Sequence, residues 1–107
     1  VTLHISGTAS IDEGGRTVHV GDLAAQVERM LRNIETLLAA QGATFEDVVS
    51  AEAYLKRPDD AAEVRGMLSD RGFDGFPCAF VDAPLCRPEL LCEIEAVAVL
   101  PRAASAG

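Results

Sequence analysis

The stretch Leu91-Cys-Glu-Ile-Glu-Ala-Val-Ala-Val99 decides the fold. Its strict alternation predicts a β-strand, because successive side chains of a strand point to opposite faces of the sheet. One face carries small and apolar side chains, namely Cys92, Ile94, Ala96 and Ala98. The other face mixes carboxylates with apolar side chains, namely Leu91, Glu93, Glu95, Val97 and Val99.

Six further elements are predicted upstream of this strand, in the order strand, strand, helix, strand, helix, strand. Their ranges are 1–6, 16–20, 22–42, 48–56, 58–72 and 77–85. Asp22 is a suitable N-cap for the first helix and Gly42 a suitable end, while Pro58 opens the second helix. A hairpin-like connection is expected around Gly14 and Gly15.

The first helix is predicted to be amphipathic. Its buried stripe has helical spacing and comprises Val27, Met30, Leu31, Ile34, Leu37 and Leu38. Its other side is predicted to be a solvated polar face made of Gln26, Glu28, Arg29, Arg32, Asn33 and Glu35. In the strand that follows, one face is expected to hold Val49, Ala51, Ala53 and Leu55.

This order of elements predicts an α+β fold in which two helices cover one face of a mixed sheet. Residues 1–101 are interpreted as a single domain and residues 102–107 as a flexible tail. Because two helices cover only one side, Leu91, Val97 and Val99 would face water in a monomer. Self-association through the uncovered face is therefore expected.

Composition narrows the possible partners. The 107 residues carry a formal charge of −8, which repels nucleic acid and anionic membranes, although arginines gathered in one cleft can still bind an anionic small molecule. No apolar run approaches the roughly 20 residues that a membrane-spanning helix needs. Three cysteines without a CxxC spacing favour a reducing cytoplasm over a disulfide framework. No metal or other cofactor is expected.

Glu93 is the first candidate for chemistry. If its face becomes a subunit interface, partial desolvation favours the protonated form, which suits a general acid. The alternative is that Glu93 and Glu95 pair with arginines across that interface. Cys86 and Arg87 lie at the turn that leads into the Glu93 strand, and Arg65 and Arg87 are candidates for binding a carboxylate or for surface salt bridges.

Several motifs resemble the Rid (YjgF) family. They are Ile5-Ser-Gly7, Gln26 with Asn33-Ile34, Asp47-Val48-Val49 and Cys92-Glu-Ile-Glu-Ala96. The resemblance implies a chorismate-mutase-like α+β subunit, a homotrimer, and sites in the clefts between subunits. Glu93 matches the glutamate that positions water in Rid deaminases. This chain reads Pro77-Cys78-Ala79 where those deaminases carry a substrate-binding arginine in a Pro-Ala-Arg motif, and the family's Gly-Pro-Tyr-Ser type opening motif is absent.

A closer resemblance is to the C-terminal, Rid-like part of the chorismatases, which cleave the enolpyruvyl ether of chorismate. It is carried by the segments Ile5-Ser-Gly-Thr-Ala-Ser-Ile11, His19-Val-Gly-Asp22 and Leu85-Cys-Arg-Pro-Glu-Leu-Leu-Cys-Glu-Ile-Glu95. It implies that Glu93 is the general acid, that Cys86 is similar to a cysteine of the branch making 3-hydroxybenzoate, and that Gly7 matches a small residue opening the pocket. Chorismatases also carry a larger N-terminal region.

Three hypotheses follow. The first is a chorismatase-like enzyme in which Glu93 is the general acid, Cys86 and Gly7 shape the pocket, and Arg87 or Arg65 binds a carboxylate. The second is an imine or enamine deaminase that holds its substrate with a different arginine. The third is a non-catalytic oligomeric module that binds a small molecule.

Overall fold

The described residues form four strands and two helices, and the helices lie between the first three strands in sequence. A computed structural model describes residues 2–83, 85, 87 and 89–100. The elements, in order, are β1 (Thr2–Thr8), α1 (Leu23–Ala39), β2 (Val48–Leu55), α2 (Ala61–Asp70), β3 (Cys78–Asp82) and β4 (Cys92–Val99). Short 3-10 helices, Phe45–Asp47 and Pro58–Asp60, precede β2 and α2. The predicted tail, residues 102–107, lies outside the described residues.

The strands form one mixed sheet in the order β1-β4-β2-β3. β4 is antiparallel to both β1 and β2, whereas β2 and β3 are parallel and are joined through α2. The core lies between this sheet and the two helices. The predicted α+β class, a mixed sheet with two helices, is confirmed. Among the described residues, no helix is long and apolar enough to cross a membrane.

Helix α1 follows its predicted stripe, with one exception. The Asp22 carboxylate accepts a hydrogen bond from the Ala25 N–H at 3.0 Å and so caps the helix. Val27, Met30, Leu31, Ile34 and Leu38 are fully buried. Leu37 was predicted within the stripe but is 48% exposed, because it lies at the edge of the stripe and borders a surface cleft.

The predicted face of β2 is wrong at Val49. The pairing of β2 with β4 shifts between Val48 and Ser50, and this irregularity rotates Val49 outward. Val48 is therefore buried and Val49 is 46% exposed, while Ala51, Ala53 and Leu55 point inward as expected.

The predicted strand at residues 16–20 is also absent. The turn at Gly14 and Gly15 does form, but the pairing after it is a single bridge between Ile11 and Thr17. His19 then adopts a φ of 60°, which takes the backbone out of the extended conformation. The segment is held by hydrogen bonds between Ser10 and Val18 instead of by a ladder.

The sheet has one covered and one uncovered face. In β4, Ile94, Ala96 and Ala98 are buried toward the helices, while Glu95 and Val99 are exposed on the opposite, outer face. Val99 is 45% exposed. Leu91, predicted on the outer face, precedes β4 and is buried, with its N–H donating to the Gln26 side chain at 2.9 Å.

Candidate functional site

Glu93 lies on the outer face of the sheet next to Gly7 of β1. A Cβ atom placed on Gly7 would lie 2.6 Å from Glu93 Oε2, closer than real Cβ contacts. Glycine at this position therefore lets the carboxylate approach the β1 backbone directly. The pairing of β1 with β4 is irregular between Ile5 and Thr8, next to this contact. Half-buried Glu93 therefore packs against the backbone of β1 at Gly7 and not against a side chain.

Tyr54 stands directly across the β2–β4 pair from Glu93. Its hydroxyl lies 2.6 Å from Glu95 Oε2 and 3.1 Å from Glu52 Oε1. The hydrogen bond to Glu95, followed by desolvation and the bond to Glu52, raises the Tyr54 pKa above its ordinary value. Glu52 and Glu95 oppose each other, an unfavourable arrangement for like charges, and the Tyr54 hydroxyl bridges them. The outer face next to Glu93 therefore carries two carboxylates, Glu52 and Glu95, that both lie within hydrogen-bond distance of the Tyr54 hydroxyl.

Arg87 joins two loops in this chain. Its Nη1 donates to the Gly15 carbonyl at 2.9 Å and to Thr17 Oγ1 at 3.1 Å. Glu89 Oε1 accepts a hydrogen bond from the same Thr17 hydroxyl at 3.2 Å. These contacts tie the segment before β4 to the turn at residues 12–17. Cys86, predicted to shape the pocket, lies outside the described residues.

Arg65 lies on the helix-covered side of the sheet. Its guanidinium carbon is 4.4 Å from the centre of the Phe80 ring, a cation–π contact between α2 and β3. Phe80 pairs with Ala53, whose side chain points to the helices, so Arg65 and Glu93 are on opposite sides of the sheet within one chain. Of the four proposed site residues that the structure describes, Gly7 and Glu93 are in contact, whereas Arg65 and Arg87 contact other groups.

The two described cysteines are unsuited to nucleophilic chemistry. Burial, together with the nearby charges of Asp60 and Glu93, raises the pKa of the Cys92 thiol to about 12, and its Sγ lies 3.8 Å from Met30 Sδ. Burial also raises the pKa of Cys78, with a partial offset from Arg65. Within the described part of the chain, no group of three His, Cys, Asp or Glu side chains is arranged to hold a metal ion.

Two polar residues of α1 hold neighbouring segments of backbone by hydrogen bonds, contrary to the predicted solvated face. Gln26 is fully buried and its Nε2 donates to the carbonyls of His19 at 3.2 Å and Glu89 at 3.0 Å. Asn33 Nδ2 donates to the carbonyls of Ala9 at 2.8 Å and of Ile11 at 2.9 Å. The two residues are seven positions apart, two helical turns, and that spacing is the available sequence signal that they share one side.

A family model described as endoribonuclease L-PSP matches residues 1–100. Among characterised proteins, the chain is 30% identical to 3-aminoacrylate deaminase RutC of Acinetobacter baylyi, over 90% of the chain and 77% of that relative. It is 34% identical to a chorismatase of Streptomyces rapamycinicus over 89% of the chain, and 33% identical to a 3-hydroxybenzoate synthase of Streptomyces hygroscopicus over 87%. The matched regions cover 31% and 30% of those two proteins, so the chain spans about a third of their length.

Solved structures of a Rid family protein and of a chorismatase are also similar to this chain. A Yersinia pestis protein of unknown function from the conserved Rid family, YyfB, superimposes with a TM-score of 0.80 at 36% identity, covering 92% of this chain and 78% of its own. A chorismatase superimposes with a TM-score of 0.82 at 31% identity, covering 92% of this chain and 32% of its own.

Proposed function

The chain belongs to the Rid family, the group described by the endoribonuclease L-PSP model, and on this premise we propose that it is a small-molecule enzyme whose proton-transfer residue is Glu93. The single observation that carries the proposal is the contact between Glu93 Oε2 and the side-chain-free position Gly7. A carboxyl group at this position packs against the β1 backbone and lies on the outer face of the sheet.

Our first candidate reaction is chorismatase-like cleavage of an enolpyruvyl ether. Neutral Glu93 gives its proton to the terminal methylene carbon, and the vinyl carbon becomes an oxocarbenium ion. Water adds to that carbon and returns a proton to the Glu93 carboxylate. The resulting hemiketal breaks its C–O bond to release pyruvate and the ring alcohol. The similarity to a chorismatase and to a 3-hydroxybenzoate synthase supports this candidate.

We propose that self-association, as a homotrimer, completes the site. Exposed Val99 lies on the same face of β4 as Glu93, further along the strand, and another subunit that covers this face would exclude water from both. Exclusion of water favours the neutral carboxylic acid, the form that general acid catalysis requires.

Substrate contacts are assigned as part of the same proposal. Gly7 and Cys86 shape the pocket, and Arg87 or Arg65 binds a substrate carboxylate. Arg87 retains guanidinium N–H groups beyond the Nη1 that holds Gly15 and Thr17, and a fork of this kind matches a carboxylate. Arg65, across the sheet from Glu93, would serve a site that a neighbouring subunit completes.

A second candidate is hydrolysis of an imine or enamine. In that reaction water, positioned by Glu93, adds to the C=N carbon of a 2-imino acid, and the tetrahedral adduct expels ammonia to leave a 2-oxo acid. The match to 3-aminoacrylate deaminase RutC favours it, since that match covers 77% of the relative whereas the chorismatase match covers 31%. Ala79, where the deaminases carry arginine, means that another cation must hold the carboxylate.

RNA cleavage is the activity that the family description names, and we do not propose it for this chain. The formal charge of −8 repels a phosphate backbone, and affinity for nucleic acid comes largely from contacts with phosphates. A small anion needs only a local cluster of arginines.

The test is to incubate the protein with chorismate and to follow pyruvate release, beside a Glu93→Gln variant and a Glu46→Gln control. Glu46 is an exposed carboxylate before β2, so its loss should leave the rate unchanged. We expect pyruvate from the wild type and the control and none from Glu93→Gln. Absence of pyruvate from all three rejects the first candidate, and a 2-imino acid hydrolysis assay on the same proteins then tests the second.

A further inference from the structure

The surface cleft that Leu37 borders lies on the α1 side of Gly7, separate from the Glu93 site. It encloses about 430 Å³ between α1 and the segment that follows β1. Helix α1 contributes Arg29, Arg32 and Leu37 to its wall, and the opposite wall includes Ile11 and Glu13. Two arginines in one cleft stand out in a chain with a formal charge of −8, because they balance the charges of Asp12 and Glu13, which line the same cleft.

Arg29 is the less exposed of the two arginines of this cleft. Its side chain is 19% exposed, and its Nε is buried without a hydrogen-bond partner among the described residues. A buried N–H group left unpaired is unfavourable, and a guanidinium presents Nε and one Nη as a fork that fits a carboxylate. The Nε–H of Arg29 therefore lacks an acceptor, and a ligand would reach it by taking the place of Glu13 on the Nη2 of the same guanidinium.

The partner that Arg29 does have is weakly held. Its Nη2 lies 3.1 Å from Glu13 Oε1, and the Glu13 side chain is 91% exposed. Ion pairs at such exposed positions contribute little, so an incoming carboxylate can replace Glu13. The other acid of the wall, Asp12, is committed to its own turn, where Oδ1 accepts hydrogen bonds from the N–H groups of Gly14 and Arg16, both at 2.9 Å.

Arg32 and two apolar residues define the rest of a ligand. Arg32 is exposed one helical turn after Arg29 and makes no ion pair with any described residue. Leu37 is about half exposed and Ile11 is half-buried, so they offer hydrocarbon surface along the same cleft. The combination fits a carboxylate attached to a short apolar body.

We propose that this cleft binds a short-chain organic monocarboxylate, with the carboxylate on the Nε and Nη edge of Arg29, Arg32 close by, and the hydrocarbon part against Ile11 and Leu37. The site does not use Glu93. The backbone of Gly7, which lines the cleft on one side and contacts Glu93 on the other, separates the two sites.

The experiment is a titration of the full chain with butyrate, followed through the side-chain Nε–H resonances in heteronuclear NMR spectra. Butyramide, which has the same shape without the charge, is titrated in parallel. We expect butyrate to shift the Arg29 Nε–H signal to saturation and butyramide to leave it in place. Arg29→Lys, which keeps the charge but loses the fork, should weaken butyrate binding about tenfold.

Glu13→Gln provides the opposite test and changes only an exposed side chain. Removal of the competing carboxylate should tighten butyrate binding about threefold. Arg57→Gln, an exposed arginine before α2, and Glu93→Gln should both leave the affinity unchanged. An unmoved Arg29 signal, equal shifts with butyramide, or weaker binding by Glu13→Gln would each overturn the proposal.

Discussion

A methyl group on residue 7 would overlap the Glu93 carboxylate, so the Glu93 side chain would have to move. The 2.6 Å separation between that methyl carbon and Glu93 Oε2 predicts that Gly7→Ala displaces the carboxylate from its seat. Because small misplacements of catalytic groups are costly, we expect a loss of about 100-fold in the rate of the reaction that Glu93 serves. The measurement is the turnover rate alongside the melting temperature.

Gly66→Ala is the matched control for this change. Gly66 lies within α2, and a Cβ there meets no atom within 4 Å. The variant should stabilise the fold by about 0.5–1 kcal/mol through helix propensity and leave the activity unchanged. Equal activity of Gly7→Ala and wild type would show that the Gly7–Glu93 contact does not matter for the reaction.

The buried Cys92 thiol makes stability depend on alkaline pH. Its folded pKa of about 12 lies above the ordinary value of 9.0, so the unfolded chain releases this proton first as the pH rises. The folded state therefore binds more protons between pH 9 and 12, and its stability falls across that window by up to ~1.4 kcal/mol per pH unit. Its contribution is fully present below pH 9.

Urea unfolding at pH 8 and pH 10 tests this with Cys92→Ala as the reference. From pH 8 to pH 10, the wild type should lose about 1 kcal/mol more than the variant, which lacks the titrating group. Parallel losses in both proteins would mean that the thiol ionises alike in the folded and unfolded chains.

At the scale of elements, Gln26 joins α1 to the segment just before it and to a segment distant in sequence. Its side chain links α1 to the segment before it, through His19, and to the segment before β4, through Glu89 and Leu91. Gln26→Leu keeps the volume but leaves buried backbone groups unpaired, so we expect a loss of roughly 3 kcal/mol. Chemical denaturation measures it, with exposed Gln41→Leu as a control that should shift stability by less than about 0.5 kcal/mol.

Element positions follow from the sequence wherever one local rule governs them. The N-cap at Asp22 and the alternation of β4 after Leu91 are local features, and both are confirmed. The shift at Val49 and the loss of the strand at residues 16–20 depend on partners distant in sequence, because a bulge exists only against another strand. Alternation alone therefore misplaces Val49.

At the scale of the molecule, the uncovered sheet face carries the prediction of a homotrimer. Val99→Lys puts a charge on that face, and burying an unpaired charge is costly, so the variant should dissociate to monomers. Light scattering coupled to size-exclusion chromatography measures the mass. Val20→Lys, at an exposed residue of the loop before α1, should leave the mass unchanged, and a monomeric wild type contradicts the trimer.

The residues of the candidate site also differ in whether the sequence alone can place them. Glu93 is found from alternation in one strand, and its contact with Gly7 depends on the irregular pairing of two strands from opposite ends of the chain. Arg65 cannot be placed without the sheet topology, because the side of the sheet it occupies is set by how α2 connects β2 to β3. Charge and residue type indicate that an arginine binds a carboxylate. The topology determines which arginine lies near Glu93.

The position of β4 in the middle of the sheet also has a consequence for synthesis on the ribosome. β4 follows the other three described strands in the sequence, and it separates β1 from β2. A nascent chain that ends before Cys92 can pair β2 with β3, but its β1 has no neighbour to join. Completion of the sheet must therefore wait until β4 has emerged, which leaves the Gly7 strand exposed to other binding partners, such as chaperones, up to that point.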